Sequence, residues 1–252
     1  WKIIDIDMTS LTAGGTDWTS NTITGLRLDF DNNTYDSQVF EFSTIYIGTA
    51  RYTTPLLDNS GNGLHCTIYG CTPVAGVSGK ALAFDGGNDR SGADGFTPKT
   101  ASHTVSAWVR LGTEISGQNP RIWNIGQYDY VFWDYGSSSI NCYTYKDTNN
   151  KLYTSFSKSL INDGLYHLVS IVTDASTMPG SKKVYIDGKA IATTINAIGD
   201  WSSLVGVPYT FNLGYGGTNS YLHGDLDEVV YFSRALSASE VLGLYLAKSL
   251  EK

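Results

Sequence analysis

Charge is scarce in this sequence of 252 residues, and so are long hydrophobic runs. Only 16% of the residues are charged, whereas 41% are hydrophobic and 13% aromatic, a balance that excludes a wholly disordered chain. No apolar run approaches the roughly 18 residues that a membrane-spanning helix needs, so we expect no membrane span. The net charge is −7. An acidic chain does not favour a phosphate backbone, which excludes nucleic acid as a partner.

Cysteine is scarce as well. The three cysteines are too few for a disulfide scaffold and lack the spacing of a zinc site. Cys66 and Cys71 are five positions apart, so they form either a small hairpin disulfide or two free, half-buried thiols. The four histidines have no partner at metal-ligand spacing, and each is predicted to be an ordinary hydrogen-bonded strand residue. They are His65, His103, His167 and His223.

The chain also lacks an initiator methionine and a basic n-region, since it opens on Trp1 within an alternating pattern. We therefore expect no signal peptide, and a chain cut from a longer protein. A boundary is predicted near residues 48–54. Residues 1–50 hold about three strands, which bury too little apolar area to fold alone. Residues 51–252 are expected to fold independently.

Apolar and polar residues alternate with period two along most of the chain, as in residues 105–111. Such runs, separated by Gly, Asn, Asp and Ser, predict an antiparallel β-sandwich or barrel. Asp187-Gly188 predicts a type I′ hairpin, because both residues accept positive φ. Ser237 and Glu240 form a capping box before an apolar run, which predicts one short C-terminal helix. An alternating α/β enzyme is excluded.

Several short motifs follow one another in a fixed order from residue 55. They are Pro55 to His65, Gly79 to Gly86, Thr104 to Val109, Tyr166 to Val169, Val184 to Lys189, His223 to Val229 and Ser233 to Val241. Together they resemble the laminin G-like, concanavalin A-like jelly-roll modules. The resemblance implies a two-sheet antiparallel jelly-roll sandwich over residues 51–252. Two features depart from the family pattern: Cys66 replaces a frequent glycine, and no aromatic residue follows Asn88-Asp89.

Residues 1–50 are similar to the C-terminal part of another jelly-roll domain. The similarity rests on Ile23 to Phe30 and Phe40 to Gly48. Such segments occur in phage tail and structural proteins and in some bacterial surface proteins. The similarity implies a partial β-sandwich, and it favours a virion or an extracellular, cell-surface location.

The carboxylates of Asp225, Asp227 and Glu228 raise the question of catalysis. Laminarinase-type glycosidases share the jelly-roll fold and use two glutamates on one strand, separated by an aspartate; the first glutamate is absent here. Asp227 and Glu228 are adjacent, so regular strand geometry would point them to opposite faces. Retaining hydrolysis needs two carboxyl groups about 5–5.5 Å apart on one sugar. We therefore expect no catalytic residues.

Calcium is the better interpretation of some carboxylates, because Ca²⁺ prefers oxygen ligands supplied by loops. Asp58 and Asn62 lie in one Gly-rich turn. The resemblance implies a structural Ca²⁺ held by Asp58, Asn62 and Asp227, with Asp85 as a further candidate. The alternative is that Asp58 and Asn62 only close Asx-turns.

Aromatic residues beside hydrogen-bonding groups predict a glycan site, since rings stack on apolar sugar faces while amides and carboxylates bind hydroxyls. Two segments between strands have this composition, and such connections commonly carry binding residues. The candidate ligand-binding residues are Gln127, Tyr128, Asp129, Tyr130, Tyr215, Asn219 and Tyr221. The alternative is that these rings pack in the core or in cross-strand pairs. Trp108 and Trp123 are predicted to be core residues.

The sequence therefore predicts a non-catalytic carbohydrate-recognition or adhesion module of a larger virion protein, such as a phage tail or fibre, or of a cell-surface protein. Its partners would be a glycan on a host or cell surface and other copies or chains of the assembly. One alternative is a structural or decoration module that makes only protein–protein contacts. Another is a glycoside hydrolase of the laminarinase type.

Overall fold

The computed structural model describes residues 56–126, 129–217 and 220–249. All of them belong to one compact unit of the chain, Tyr52–Lys252, so the predicted segment 1–50 lies outside the described residues. The described residues form two antiparallel sheets and a C-terminal α-helix. The predicted all-β, two-sheet sandwich with a short C-terminal helix is confirmed. None of the described helices is long and apolar enough to cross a membrane.

Fifteen strands make up the two sheets. They are β1 (Thr67–Tyr69), β2 (Thr72–Ala75), β3 (Lys80–Asp85), β4 (Arg90–Phe96), β5 (His103–Leu111), β6 (Arg121–Ile125), β7 (Asp129–Trp133), β8 (Ser139–Asp147), β9 (Asn150–Ser157), β10 (His167–Asp174), β11 (Ser181–Ile186), β12 (Lys189–Ile191), β13 (Ile195–Ile198), β14 (Tyr209–Leu213) and β15 (His223–Phe232). The first sheet has the strand order β1-β4-β14-β6-β7-β8-β9-β13, and the second has the order β12-β11-β10-β5-β15-β3-β2.

The main core lies between the sheets and follows the period-two pattern. On β5, Val105, Ala107, Val109 and Leu111 belong to this core, which also includes Trp123 of the first sheet. The intervening residue Trp108 belongs to a separate cluster. Its ring centroid lies 5.6 Å from that of Tyr245, on the helix. Both tryptophans are buried, as predicted, but Trp108 packs outside the sandwich and beneath the helix.

The two local signals in the sequence have the predicted structures. Asp187 and Gly188 have φ angles of 52° and 74°, as a type I′ turn requires, and they join β11 to β12. The helix α1 spans Ala238–Ser249. The backbone N–H of Ser237 donates to Glu240 Oε2 at 2.8 Å, and the N–H of Glu240 donates to Ser237 Oγ at 3.3 Å. This reciprocal pair is the capping box.

A polar cluster, the core ion network, crosses the interior between the sheets. Its members are His103, Asp129, Thr144, Thr173 and Lys182, all buried. Lys182 Nζ donates to Asp129 Oδ2 at 2.9 Å, to Thr144 Oγ1 at 2.7 Å and to Thr173 Oγ1 at 2.8 Å. Burial alone would raise the pKa of Asp129, but Lys182 and His103 hold it well below its usual value. The buried charges are thus paired, as such burial demands.

All three cysteines are free thiols. Cys66 is partly buried, whereas Cys71 and Cys142 are buried. The Cys71 thiol donates to the carbonyl of Arg90 at 3.3 Å, and burial raises its pKa to about 12. Of the two alternatives for Cys66 and Cys71, the structure has the free thiols. A thiol with so high a pKa is unreactive at neutral pH.

Candidate functional site

An open cleft of about 530 Å³ lies at the end of the second sheet where β3 and β5 finish and β15 begins. We call it the acidic cleft. Its charged and titratable lining residues are Asp85, Asp89, Arg110, His223 and Asp225. Gly70, Gly112, Gly164 and Gly224 also line it. At Gly70 and Gly224 an added Cβ would collide with Asp89 Oδ1 and with the carbonyl oxygen of Arg110, so no side chain fits at these two positions.

Asp225 and Arg110 form one wall of the acidic cleft. Arg110 Nε donates to Asp225 Oδ2 at 2.6 Å, and the hydroxyl of Tyr166 donates to the same oxygen at 3.1 Å. Among the described residues, Asp225 Oδ1 accepts no hydrogen bond. The Arg110 guanidinium also lies 4.8 Å from the Tyr166 ring centroid. Burial and the Asp225 carboxylate raise the pKa of Tyr166, so its hydroxyl stays protonated and can donate.

Asp85 and Asp89 form a second wall. Asp85 is exposed and Asp89 is buried, and Asp89 Oδ2 accepts the N–H of Asp85 at 2.9 Å. Burial, together with the nearby Asp85 carboxylate, raises the pKa of Asp89. Gly70, with φ of 82°, approaches this carboxyl group so closely that a Cβ at residue 70 would collide with Asp89 Oδ1. Asp89 is therefore fixed by its surroundings, and Asp85 is the accessible member of the pair.

His223 contributes an imidazole ring that is anchored through Nδ1. Its Nδ1 lies 2.9 Å from the carbonyl oxygen of Thr113. A carbonyl only accepts, so Nδ1 carries the proton. On the neutral ring this leaves Nε2 with a lone pair. His223 pairs across the strands with Asp85, which places this ring beside the exposed carboxylate.

Three tyrosines and an arginine adjoin the cleft, and we call them the aromatic rim. Arg90 Cζ lies 4.3 Å from the ring centroid of Tyr69 and 5.5 Å from that of Tyr215. The rings of Tyr215 and Tyr221 are 5.4 Å apart. Gln118 connects the rim to Gly86, the residue that follows Asp85 of the cleft, because its Oε1 accepts from Tyr221 N at 2.8 Å and its Nε2 donates to the carbonyl of Gly86 at 3.2 Å.

The predicted ligand-binding residues have separate locations. Tyr215 and Tyr221 lie together in the aromatic rim, joined by a β-bridge. Gln127, Tyr128 and Asn219 lie outside the described residues. Asp129 was expected at an exposed turn, but it is the first residue of β7 and its side chain points into the core ion network. The prediction that Asp129 contacts a ligand is corrected, since a carboxylate 5% exposed is engaged by the core.

Tyr130 lies on the outer face of the first sheet. Its ring is nearly parallel to that of Tyr143 at 5.3 Å, and the Tyr143 ring is nearly parallel to that of Tyr153 at 4.9 Å. Arg121 Cζ lies 4.2 Å from the Tyr130 ring centroid. Because β6 and β8 flank β7, Arg121 and Tyr143 lie on opposite sides of this ring. Tyr130 therefore has no free face on which a sugar could stack, which favours the alternative of cross-strand packing.

The expected calcium ligands Asp58 and Asn62 are engaged by hydrogen bonds within their own turn. The two oxygens of Asp58 accept the N–H groups of Ser60 at 2.8 Å and Leu64 at 3.0 Å. Asn62 Nδ2 donates to Ser60 Oγ at 2.7 Å. In the described part of the chain, no three His, Cys, Asp or Glu side chains form a group that could hold a metal ion. The calcium site of Asp58, Asn62, Asp227 and Asp85 stays a prediction from the sequence.

Asp227 and Glu228 depart from regular strand geometry. The pairing of β15 with β5 shifts between Asp227 and Val230, and Glu228 has a φ of 47°. The expectation of simple alternation at these two residues is therefore wrong, because a β-bulge intervenes. Asp227 Oδ2 accepts the N–H groups of Val77 at 2.7 Å and Ser78 at 3.1 Å. Its carboxylate thus holds the turn between β2 and β3.

Sequence reasoning missed Asp89, Arg110 and His223 as site residues. Arg110 was detectable in principle, because it occupies an outward position on a strand whose other outward residues are uncharged. Its partner Asp225 is 115 positions away. Only the paired strands bring the two together, so no local pattern predicts the cleft.

A family model of the concanavalin A-like lectin/glucanases superfamily, of laminin G type, matches residues 85–242. No curated protein matches the chain by sequence. The region matched by the family model runs from the end of β3 into α1.

Several solved structures share the fold. The binding domain of Paraclostridial mosquitocidal protein 1 is 18% identical with a TM-score of 0.58, covering 76% of this chain and 49% of that chain. A botulinum neurotoxin type C structure, whose cell entry is described as dependent on two ganglioside molecules, is 15% identical with a TM-score of 0.58, covering 76% and 48%. Domain 4 of AbnA, an extracellular GH43 arabinanase from Geobacillus stearothermophilus in complex with arabinotriose, is 20% identical with a TM-score of 0.55, covering 76% and 93%. The chain spans about half the length of the two toxin chains. At these identities the likeness is one of fold.

Proposed function

Because the chain belongs to the concanavalin A-like lectin/glucanases superfamily, we propose that it is a non-catalytic carbohydrate-recognition module whose site is the acidic cleft with the aromatic rim. The main observation behind this proposal is that Gln118 bonds both to Tyr221 of the aromatic rim and to Gly86, beside Asp85 of the acidic cleft. A sugar needs hydrogen-bonding groups for its hydroxyls and a ring for its apolar face. Sites for small ligands combine a concave, partly apolar surface with a few placed polar groups.

The contacts of the carboxylates support binding rather than hydrolysis. Asp225 is paired with Arg110, and Asp227 is engaged by backbone N–H groups. Neither is arranged as a general acid, which requires a carboxyl group whose proton can reach a leaving oxygen. Two of the structural neighbours are named as binding domains or as a complex with a sugar, and this also supports a binding module.

Replacing Tyr221 by alanine is expected to weaken glycan binding at least fivefold, because it removes one ring of the aromatic rim. Stability should change by no more than about 1 kcal/mol, the usual range for a position that is not fully buried. Binding is measured by a glycan array followed by titration calorimetry. Single-site affinity near millimolar, about −4 kcal/mol, is expected for so open a site.

Tyr145→Ala is the matched control, because Tyr145 is also partly exposed but lies on β8 of the first sheet. It should leave glycan binding unchanged. Equal losses in both variants, or an empty array for the parent protein, would contradict the proposed site. A drop of several degrees in the melting temperature of Tyr221→Ala alone would instead assign this ring a structural role.

We further propose that this module serves a larger virion or cell-surface protein that attaches to a host glycan. The similarity of residues 1–50 to phage tail-type jelly rolls supports this context. Weak single sites become useful when several copies act together, since linked sites raise avidity by 10²–10⁴. Measuring the size in solution of the larger protein that contains this module would test whether several copies assemble.

Calcium binding at the Asp58 turn remains a prediction from the sequence. It predicts that saturating calcium stabilises the native state by about 2.7 kcal/mol at 100 times the dissociation constant, and that Asp58→Ala abolishes the gain. Melting curves with excess calcium and with a chelator measure it. Identical curves would show that the turn is held by its own hydrogen bonds alone.

A further inference from the structure

We infer that the acidic cleft selects neutral glycans and rejects those that carry carboxylate or sulfate groups. This inference rests on the proposed function and names the class of sugar that the site accepts. Two independent properties of the lining residues carry it, their charge balance and their hydrogen-bonding roles.

The charge balance of the cleft is negative. Asp85, Asp89 and Asp225 line it with a single arginine, Arg110. That arginine is already paired with Asp225, so its charge is compensated within the protein. The exposed carboxylate of Asp85 has no cationic side chain as a partner among the described residues. An anionic sugar would enter against this charge, and like charges oppose binding most strongly where solvent screening is incomplete.

Beside the Arg110 guanidinium, the cleft presents three side-chain groups that can accept hydrogen bonds. They are the free Oδ1 of Asp225, the Asp85 carboxylate and, on a neutral ring, Nε2 of His223. A sugar hydroxyl donates a hydrogen bond to each of these groups. A carboxylate or sulfate only accepts, so it would leave both itself and the cleft acceptors unsatisfied. Leaving a desolvated polar group without a hydrogen bond costs more free energy than a typical hydrogen bond contributes.

The aromatic rim does not reverse this preference. Its cation, Arg90, lies against the rings of Tyr69 and Tyr215, so its charge is partly engaged by their faces. The rim therefore offers apolar ring surface beside an acceptor-rich cleft. A neutral pyranose or furanose, with hydroxyls on its edge and C–H groups on its face, matches both parts.

The experiment compares matched neutral and anionic probes on the whole chain. Lactose is paired with sialyllactose, and methyl-esterified polygalacturonate with polygalacturonate, in titrations at low and at physiological salt. We expect the neutral member of a bound pair to bind at least tenfold more tightly. The ratio should shrink as salt screens the carboxylates. Asp85→Asn should raise affinity for the anionic member at least threefold without raising affinity for the neutral one.

Asp147→Asn is the charge-matched control, because it removes one negative charge in the β8–β9 hairpin, away from the cleft lining. It should leave the ratio unchanged. If the anionic member binds as tightly as the neutral one, or if Asp147→Asn shifts the ratio as far as Asp85→Asn does, the inference is overturned while the proposed function stands. If neither member of any pair binds and a broad array is empty, both fail together.

Discussion

Replacing Lys182 by methionine is expected to destabilise the protein by about 3–5 kcal/mol, the cost of leaving a buried charge without its partner. Lys182 is completely buried and donates three hydrogen bonds. Methionine has a similar volume but donates none. Among the described residues, the Asp129 carboxylate would then keep His103 and Thr144 as its side-chain partners. Urea denaturation at neutral pH measures the loss.

The double variant Lys182→Met with Asp129→Leu is the control for this interpretation. Replacing a buried ion pair by apolar residues is often neutral or stabilising, in contrast to removing one partner. The double variant should therefore regain part of the stability that Lys182→Met loses, while His103, Thr144 and Thr173 still lack their partners. A double variant as unstable as the single one would show that the core depends on the shape of these side chains and not on charge pairing.

The same pair predicts a response to acid. The pKa of Asp129 is lower in the folded protein than its usual value. Its contribution to stability is therefore present above the unfolded pKa, about 3.9, and is lost as pH falls through the folded value. The free energy of unfolding of the parent protein should fall below about pH 4, and more steeply than that of the double variant.

Replacing Trp108 by alanine is expected to cost about 3–5 kcal/mol, as for other buried large-to-small changes. Trp108 is 2% exposed and packs with Val77 and Leu168 on the outer face of the second sheet. It also stacks on Tyr245, so the change removes the surface on which α1 rests. We expect the amides of α1 to lose hydrogen-exchange protection before those of the strands.

Leu242→Ala is the control for the helix, because Leu242 lies on α1 but is 41% exposed. It should cost less than about 1 kcal/mol and leave the exchange pattern unchanged. Uniform loss of protection over strands and helix in Trp108→Ala would contradict a local role and assign Trp108 to the global core.

The local features of the fold were predictable because their causes are local. The hairpin at Asp187-Gly188 needs positive φ at two adjacent residues, and the cap of α1 needs one pair three residues apart. The alternation of apolar and polar residues with period two predicted the strands and the two-sheet sandwich. The ring content of a connecting segment is also visible in the sequence, and it led to Tyr215 and Tyr221, which lie together in the structure; their role in binding stays a prediction.

The features that were missed depend on pairing over long separations. Lys182 and Asp129 are 53 positions apart, and Asp129 at the start of a strand is equally compatible with an exposed turn. The β-bulge at Glu228 inserts residues into a pattern that otherwise looks regular. Strand register decides which side chains meet, and register follows from all strands together rather than from any one of them.

The core ion network has a consequence for the geometry of the distant site. Apolar contact is non-directional, so two apolar sheet faces can shift relative to one another at little cost. Hydrogen bonds are directional, and those of 2.7–2.9 Å between Lys182 on β11 and residues of β7 and β8 fix the alignment of the two sheets. His103, at the beginning of β5, belongs to this network, whereas Arg110 near the end of β5 belongs to the acidic cleft. The cleft is built on one sheet, and Tyr69 and Arg90 of the rim on the other. The spacing between the rings of the aromatic rim and the acceptors of the acidic cleft is therefore set by an alignment made at the opposite end of the sandwich.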